Sequence, residues 1–143
     1  MEAGKTVKKT ISELGFKHEM NPGQEPGTEI YEIRIDEAEN ISVTGLLYET
    51  EEGAFFRLMS YVDEINKEKP MEQLTLLMAL NLDIPTGAYC LDPEDDVILA
   101  TVNIPMAELT AELLGWVIEF LIVAQEVYFQ EFYPADPEKM PQG

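Results

Sequence analysis

Between residues 109 and 133 apolar side chains occupy most of a helical circumference. At about 100° per residue, Glu108, Glu112, Glu119 and Glu126 fall on one narrow stripe. Leu113, Leu114, Trp116, Val117, Ile118, Phe120, Leu121, Ile122, Val123, Val127 and Phe129 cover the remainder. A helix of this kind has to be covered on at least two sides. A sheet beneath it accepts Leu113, Val117, Phe120 and Leu121, which leaves Ile118, Ile122 and Phe129, beside the glutamates, for a second subunit or a bound chain. Thr110 is placed to cap the helix, Glu112 lies in its first turn, and Pro134 ends it.

The rest of the chain divides by period. Val7, Ile11 and Leu14 have helical spacing and stop at Gly15, which predicts a short helix over residues 6–14. Pro22, Gly23, Pro26 and Gly27 make residues 21–27 a loop. Tyr31, Ile33 and Ile35 then alternate with Glu32 and Arg34, a half-buried strand over residues 28–35. Two more strands follow over 41–49 and 53–62, joined by a turn at 50–53, so the three form a meander. In the third, Phe55, Met59 and Tyr61 share one side while Phe56, Leu58 and Val62 share the other, and a strand apolar on both faces is sandwiched or part of an interface. Pro70 suits the first position of a helix whose buried side is Met71, Leu74, Leu77, Met78 and Leu80, stopped at residues 85–87. Strands over 88–91 and 97–104 flank an acidic turn at 92–96.

The resulting order is helix, three strands, helix, two strands, long helix, an α+β sandwich with the helices on one face of an antiparallel sheet. One domain spans residues 1–133, and residues 134–143, rich in Pro and Gly, are expected to be a flexible tail. The run Leu74-Thr-Leu-Leu-Met-Ala-Leu-Asn-Leu-Asp-Ile-Pro-Thr-Gly-Ala-Tyr-Cys-Leu-Asp92, the hairpin ending at Ile104-Pro105 and the helix opened by Leu109-Thr110 resemble the YbjN family of candidate bacterial sensory transduction regulators. The same layout is similar to class I type III secretion chaperones of the Tir-chaperone kind. The likeness covers roughly residues 28–133. It implies a heart-shaped α+β unit that dimerises and binds protein, with clients held in extended form against hydrophobic patches, and it carries over no catalytic residues.

Charge narrows the partners. The chain of 143 residues has a formal net charge of −19. Residues 1–69 hold eight basic and fifteen acidic side chains, whereas residues 70–143 hold Lys139 against thirteen acids. Nucleic acid and anionic membrane are recognised through Lys and Arg, so this field argues against both and favours a basic protein surface. The single Cys90 forms no internal disulfide, and no apolar run of seven or more occurs in the first twenty residues. The expected setting is a reducing cytoplasm.

Candidate chemistry is sparse. An EF-hand starting at Asp92 would need Gly at its sixth position and Glu at its twelfth, where Val97 and Asn103 stand. A metal or nucleophile site would have to rest on His18, the one histidine, and Cys90, which reads as a small core residue on a strand. The carboxylate pairs Glu37/Glu39 and Glu51/Glu52 lie in polar turns, not in the unlike environments that acid–base work requires. No glycine pattern forms a phosphate loop. No cofactor, metal or catalytic residue is expected. Met59, Met71, Met78 and Met106 are polarizable fillers that repack against varied partners.

The expectation is a non-enzymatic, chaperone-like adaptor or regulator, homodimeric through the strand at 53–62, the strand at 97–104 or the long helix. Its protein-binding and dimer residues would be Ile118, Ile122, Phe129, Phe55, Met59 and Tyr61. The alternative is a small-molecule-binding or enzymatic domain with a pocket between helices and sheet. A dimer that consumes all the surplus apolar surface is a third outcome.

Overall fold

The computed structural model describes residues 2–133. Its elements run α1 (Glu2–Glu13), β1 (Lys17–Pro22), β2 (Glu29–Asp36), β3 (Ile41–Thr50), β4 (Gly53–Glu64), α2 (Pro70–Asp83), β5 (Ala88–Asp92), β6 (Val97–Pro105), a single 3-10 turn at Met106–Glu108, and α3 (Ala111–Phe132). The expected tail at 134–143 lies outside the described residues. All strand pairings are antiparallel and the spatial order is β1-β2-β3-β4-β6-β5. Fold class and antiparallel sheet agree with the reading of the sequence.

The sheet has six strands because β1 joins the meander at its edge. Its residues are almost entirely exposed, and it is held by main-chain pairing to β2 in the register Lys17↔Arg34 to Pro22↔Glu29. A strand that buries nothing carries no alternating pattern, so the sequence shows no strand at residues 17–20, and the loop expected at 21–27 begins after Pro22 because Asn21 and Pro22 still pair with β2. Pro22 and the charges at Lys17 and Glu19 also blunt this outer edge against further pairing.

All three helices lie on one face of the sheet. β2, β3, β4 and β6 send Tyr31, Ile33, Val43, Leu47, Phe56, Leu58, Ile98, Ala100, Val102 and Ile104 into that layer, and all are buried. α3 packs over β4 and β6, with α1 and α2 packed against it. Its inward stripe is Leu114, Val117, Ile118, Leu121, Ala124 and Tyr128. The expected phase is therefore corrected by about half a position, and Ile118, placed outside by the sequence reading, is 1% exposed. A helix apolar round most of its circumference does not fix which side faces in; the flanking helices and sheet do. Thr110 caps α3 as expected, its side chain accepting from Leu113 N at 3.0 Å.

Gly45 makes room for a ring of the neighbouring strand: a Cβ there would collide with Phe56, whose ring lies across β3 and meets Tyr31 edge-on at 5.8 Å. At the other edge, Asn81 near the end of α2 clasps β5: its Nδ2 donates to Tyr89 O at 3.1 Å and its Oδ1 accepts from Tyr89 N at 2.7 Å. These are the outward-facing main-chain groups of β5, so the asparagine closes part of that edge and anchors the helix to it.

The orientation of α2 is the largest departure from the sequence reading. Gln73 and Leu77 are the buried positions, while Met71, Met78 and Leu82 are 75%, 74% and 80% exposed. Gln73 is drawn inward by bonds: its Nε2 donates to Glu64 O (2.9 Å) and to the Tyr128 hydroxyl (2.8 Å), and its Oε1 accepts from Asn66 N (2.9 Å). Tyr128 and Tyr133 in turn both donate to Asp63 Oδ2, at 2.7 and 2.6 Å. This polar cluster ties the start of α2, the end of α3 and the end of β4 together.

Candidate protein-binding surface

The helices leave the second face of the sheet without cover, and β3, β4 and β6 make it apolar. Alternation places Leu46 and Tyr48 of β3, Phe55, Arg57, Met59 and Tyr61 of β4, and Leu99, Thr101 and Asn103 of β6 on that side, opposite the buried set. The registers Tyr48↔Phe55, Arg57↔Asn103, Met59↔Thr101 and Tyr61↔Leu99 bring them side by side. Phe55, Met59, Leu46 and Leu99 are half-buried by one another and Tyr61 is 51% exposed. Phe55, Met59 and Tyr61 thus do share one surface, as their spacing in the sequence requires.

One polar knot sits within it. The Tyr48 ring stacks on Phe55 at 5.7 Å, the Arg57 guanidinium lies 5.1 Å from the centre of the Tyr48 ring, and Arg57 Nη2 and Asn103 Nδ2 both donate to the Tyr48 hydroxyl, at 3.1 and 2.7 Å. These bonds fix side chains that would otherwise move freely on an open sheet, so the surface is held in shape before anything binds. Desolvation raises the Tyr61 hydroxyl above its usual range, and the nearby Glu64 and Asp63 carboxylates add to the shift. It stays protonated and uncharged near neutral pH.

The three α3 residues singled out by the sequence do not form a surface together. Ile118 is core. Ile122 is half-buried, at the edge of a cleft between α3 and β3–β4. Phe129 is 39% exposed and belongs to an aromatic cluster at the end of the helix, 5.4 Å from both Tyr128 and Tyr133. The outward stripe of α3 is Glu112, Trp116, Glu119, Val123 and Glu126, with Trp116 stacked on Phe120 at 6.0 Å.

Two surface features escaped the sequence reading. The first is the α2 stripe of Met71, Thr75, Met78 and Leu82, flanked by Glu72 and Asp83 alone as charges. Of the expected buried side, Leu77 is buried and Leu74 and Leu80 pack against the core, but Met71 and Met78 face out and Gln73 takes an inward place, because a pattern that ranks Met above Gln tilts the helix toward the methionines. The second is Cys90, expected in the core but exposed, because β5 faces it toward the open side while Tyr89 takes the buried position. Partial burial raises its thiol above the ordinary range, with Arg57 lowering and Asp92 raising it less. A protonated thiol is a poor nucleophile.

No helix among the described residues is long and apolar enough to cross a membrane, and no group of three or more His, Cys, Asp or Glu among them is arranged to hold a metal ion.

No family model matches the chain, and no curated protein matches it in sequence. Solved structures do match. The Yersinia pestis type III secretion chaperone SycH, in complex with a stable fragment of YscM2, is similar with a TM-score of 0.59 and 17% identity, over 88% of this chain and 98% of that one. YbjN from E. coli, a candidate transcription regulator, is similar with a TM-score of 0.56 and 15% identity, over 89% of this chain and 88% of that one. At these identities the likeness is one of fold, and the fold is the YbjN-like and secretion-chaperone-like one that the sequence resembles.

Proposed function

We propose that this chain is a non-enzymatic adaptor that binds another protein on the open face of its sheet, through Phe55, Met59, Tyr61 and their neighbours. One observation carries the reading: an apolar sheet face that no helix among the described residues covers, pre-shaped by the Tyr48–Arg57–Asn103 knot. A solvent-facing sheet ordinarily alternates apolar-in with polar-out, so apolar side chains on its outer side mark a surface awaiting a partner. The shared fold supports it, since SycH is a chaperone solved with a protein fragment. The net charge of −19 favours a partner with basic surface, steered by the acidic field and weakened by salt.

The homodimer forms through α2. In an antiparallel pair of these helices about a two-fold axis, Met71 meets Leu82 and Thr75 meets Met78 of the other copy, so the stripe is complementary to itself, as an isologous contact requires. Six large side chains, each about three-quarters exposed, remove on the order of 9 kcal/mol of apolar exposure when paired. Against the low end of the about 4–15 kcal/mol that association costs, about 5 kcal/mol remains, a weak dimer with a dissociation constant of about 0.2 mM that leaves the sheet face free.

The test is affinity capture from the source cells by the native chain and by the double substitution Phe55→Glu, Tyr61→Glu, with circular dichroism showing both folded. The native chain retains a defined partner and the variant loses it. Retention of the same partner by both would reject the sheet face as the binding surface.

A further inference from the structure

The open sheet face carries a charge that nothing on it answers. Arg57 is the one basic side chain of β3, β4, β5 and β6, in a chain with 28 acidic residues. It is half-buried, and among the described residues it takes part in no ion pair. A guanidinium held partly out of water without a counter-charge is unfavourable, and an anion brought to it from outside removes that penalty.

The hydrogen bonds point the same way. A guanidinium has five N–H donors, and Arg57 gives one of them to the Tyr48 hydroxyl at 3.1 Å. Asn103 Nδ2 donates to the same oxygen at 2.7 Å. The hydroxyl accepts both and, among the described residues, donates to nothing, so its own hydrogen is free. Donors from three side chains converge here, and no carboxylate among the described residues bonds to any of them.

A pocket of about 300 Å³ opens at the guanidinium, lined by Ile30, Leu46, Tyr48 and Arg57 of the sheet and by Glu25 and Thr28 of the β1–β2 loop. Sites for drug-sized ligands start at about 300 Å³, so it has room for one side chain or one chain end. The registers Ile30↔Leu46 and Leu46↔Arg57 set an apolar floor directly beside the charge. The loop is tied to itself, Thr28 N and Oγ1 both donating to Glu25 O, at 3.3 and 2.7 Å, and Gly23 N to Thr28 O at 2.9 Å. The pocket is therefore formed before anything binds. Glu25 is the chain's own carboxylate here, and it does not close on Arg57. It opposes an incoming anion, and a doubly charged phosphate twice as strongly as a single carboxylate.

We propose that this pocket receives a carboxylate of the bound protein, its aliphatic part against Ile30 and Leu46 and its oxygens on the Arg57 guanidinium and the Tyr48 hydroxyl. The inference rests on the adaptor reading and deepens it. The acidic field draws in a partner with basic surface, and Arg57 selects among such partners the one that carries a carboxylate at the matching point.

The probes are acetyl-Gly-Glu-Gly-amide, its glutamine isostere, and acetyl-Gly-Gly-Leu with a free C-terminal carboxylate, titrated into the native chain at constant ionic strength and followed by amide chemical shifts. Shifts centred on Leu46, Tyr48, Arg57 and Asn103 are expected with a carboxylate probe and none with glutamine. Binding of the glutamate peptide assigns an acidic side chain, and binding of the leucine acid alone assigns a chain end. Arg57→Gln is expected to weaken binding about tenfold, as for loss of a charge-assisted bond. Glu25→Gln removes the opposing charge and is expected to strengthen binding about two- to threefold, a gain that a folding defect cannot produce. Lys8→Gln on α1 makes the same change of net charge as Arg57→Gln and is expected to alter binding less than about twofold. Absence of shifts with both carboxylates, equal binding of the glutamine isostere, equal effects of Arg57→Gln and Lys8→Gln, or no gain from Glu25→Gln would each overturn the proposal. The two readings fail separately. If Arg57→Gln and Lys8→Gln are equal while the Phe55→Glu, Tyr61→Glu variant still loses the captured protein, the pocket is wrong and the sheet face stands. If a carboxylate probe binds as described while the double variant keeps its partner, the reverse holds.

Discussion

Replacing Gln73 by Leu exchanges a buried amide for an apolar side chain of similar size, at a core position of α2 that the helical pattern does not mark. The carboxamide makes three bonds, to Glu64 O, the Tyr128 hydroxyl and Asn66 N. Tyr128 keeps its donation to Asp63, so it loses only an accepted bond, whereas the two main-chain groups lose the partner that Gln73 supplied. Counting about 1 kcal/mol for each, and returning about 1 kcal/mol for burying a leucine, gives a net loss of about 2 kcal/mol. Domains of this size hold roughly 5–15 kcal/mol, so the loss is large. In urea, with a slope of about 1.5–2 kcal/mol/M, the unfolding midpoint falls by about 1 M at unchanged slope. A midpoint that stays within about 0.3 M of the native value, or rises, would show that hydrophobic pattern, not the polar cluster, sets how α2 is turned.

Two further outcomes follow from the same geometry. Burial, assisted by Asp63, raises the Tyr133 hydroxyl to about 12 and moves Tyr128 further in the same direction, while tyrosines of the unfolded chain titrate near 10. Above pH 10 the unfolded state therefore binds fewer protons than the folded one, so the stability from these groups is complete below pH 10 and is lost as pH climbs toward 12. Thermal unfolding in that window is expected to show a steep decline that Tyr133→Phe makes shallower, and parallel declines for the two proteins would contradict it. On α2, Leu82→Glu removes two of the six apolar side chains from the proposed dimer and sets two carboxylates into it. Light scattering at about 1 mM is expected to show mostly dimer for the native chain and monomer for the variant, and a variant that remains dimeric would move the contact off this stripe.

What could be read in the sequence, and what could not, has a physical explanation. The β2–β4 meander and the β5–β6 hairpin were legible because each strand hides one face, so period 2 is stamped on it. The α3 cap was legible because Thr110 acts locally. The apolar outer face of β4 was legible in composition, since Phe55, Met59 and Tyr61 are apolar where solvent-facing positions are usually polar. Three things depended on tertiary neighbours. β1 buries nothing and is held by main-chain bonds to a strand that follows it. α2 is turned by Gln73, whose partners Tyr128 and Glu64 lie 55 and 9 residues away along the chain. α3 is apolar round most of its circumference, so its inward face was settled by the layer it lies in, and Ile118 went to the core while Trp116 and Val123 faced out. Asn81, part of the run on which the family resemblance was built, has a physical reason to be there, since its side chain closes the edge of β5.

The central claim is that a protein partner lies on the open sheet face, and a photo-activated cross-linker placed at single positions in the full chain tests it most directly. Incorporated in turn at Tyr61, Phe55 and Lys8 and irradiated in extracts of the source cells, it is expected to give the same discrete adduct from Tyr61 and Phe55, identified by mass spectrometry, and none from the exposed α1 position at Lys8. An adduct formed equally well from Lys8, or absent from both sheet positions while the partner is captured, would contradict the account.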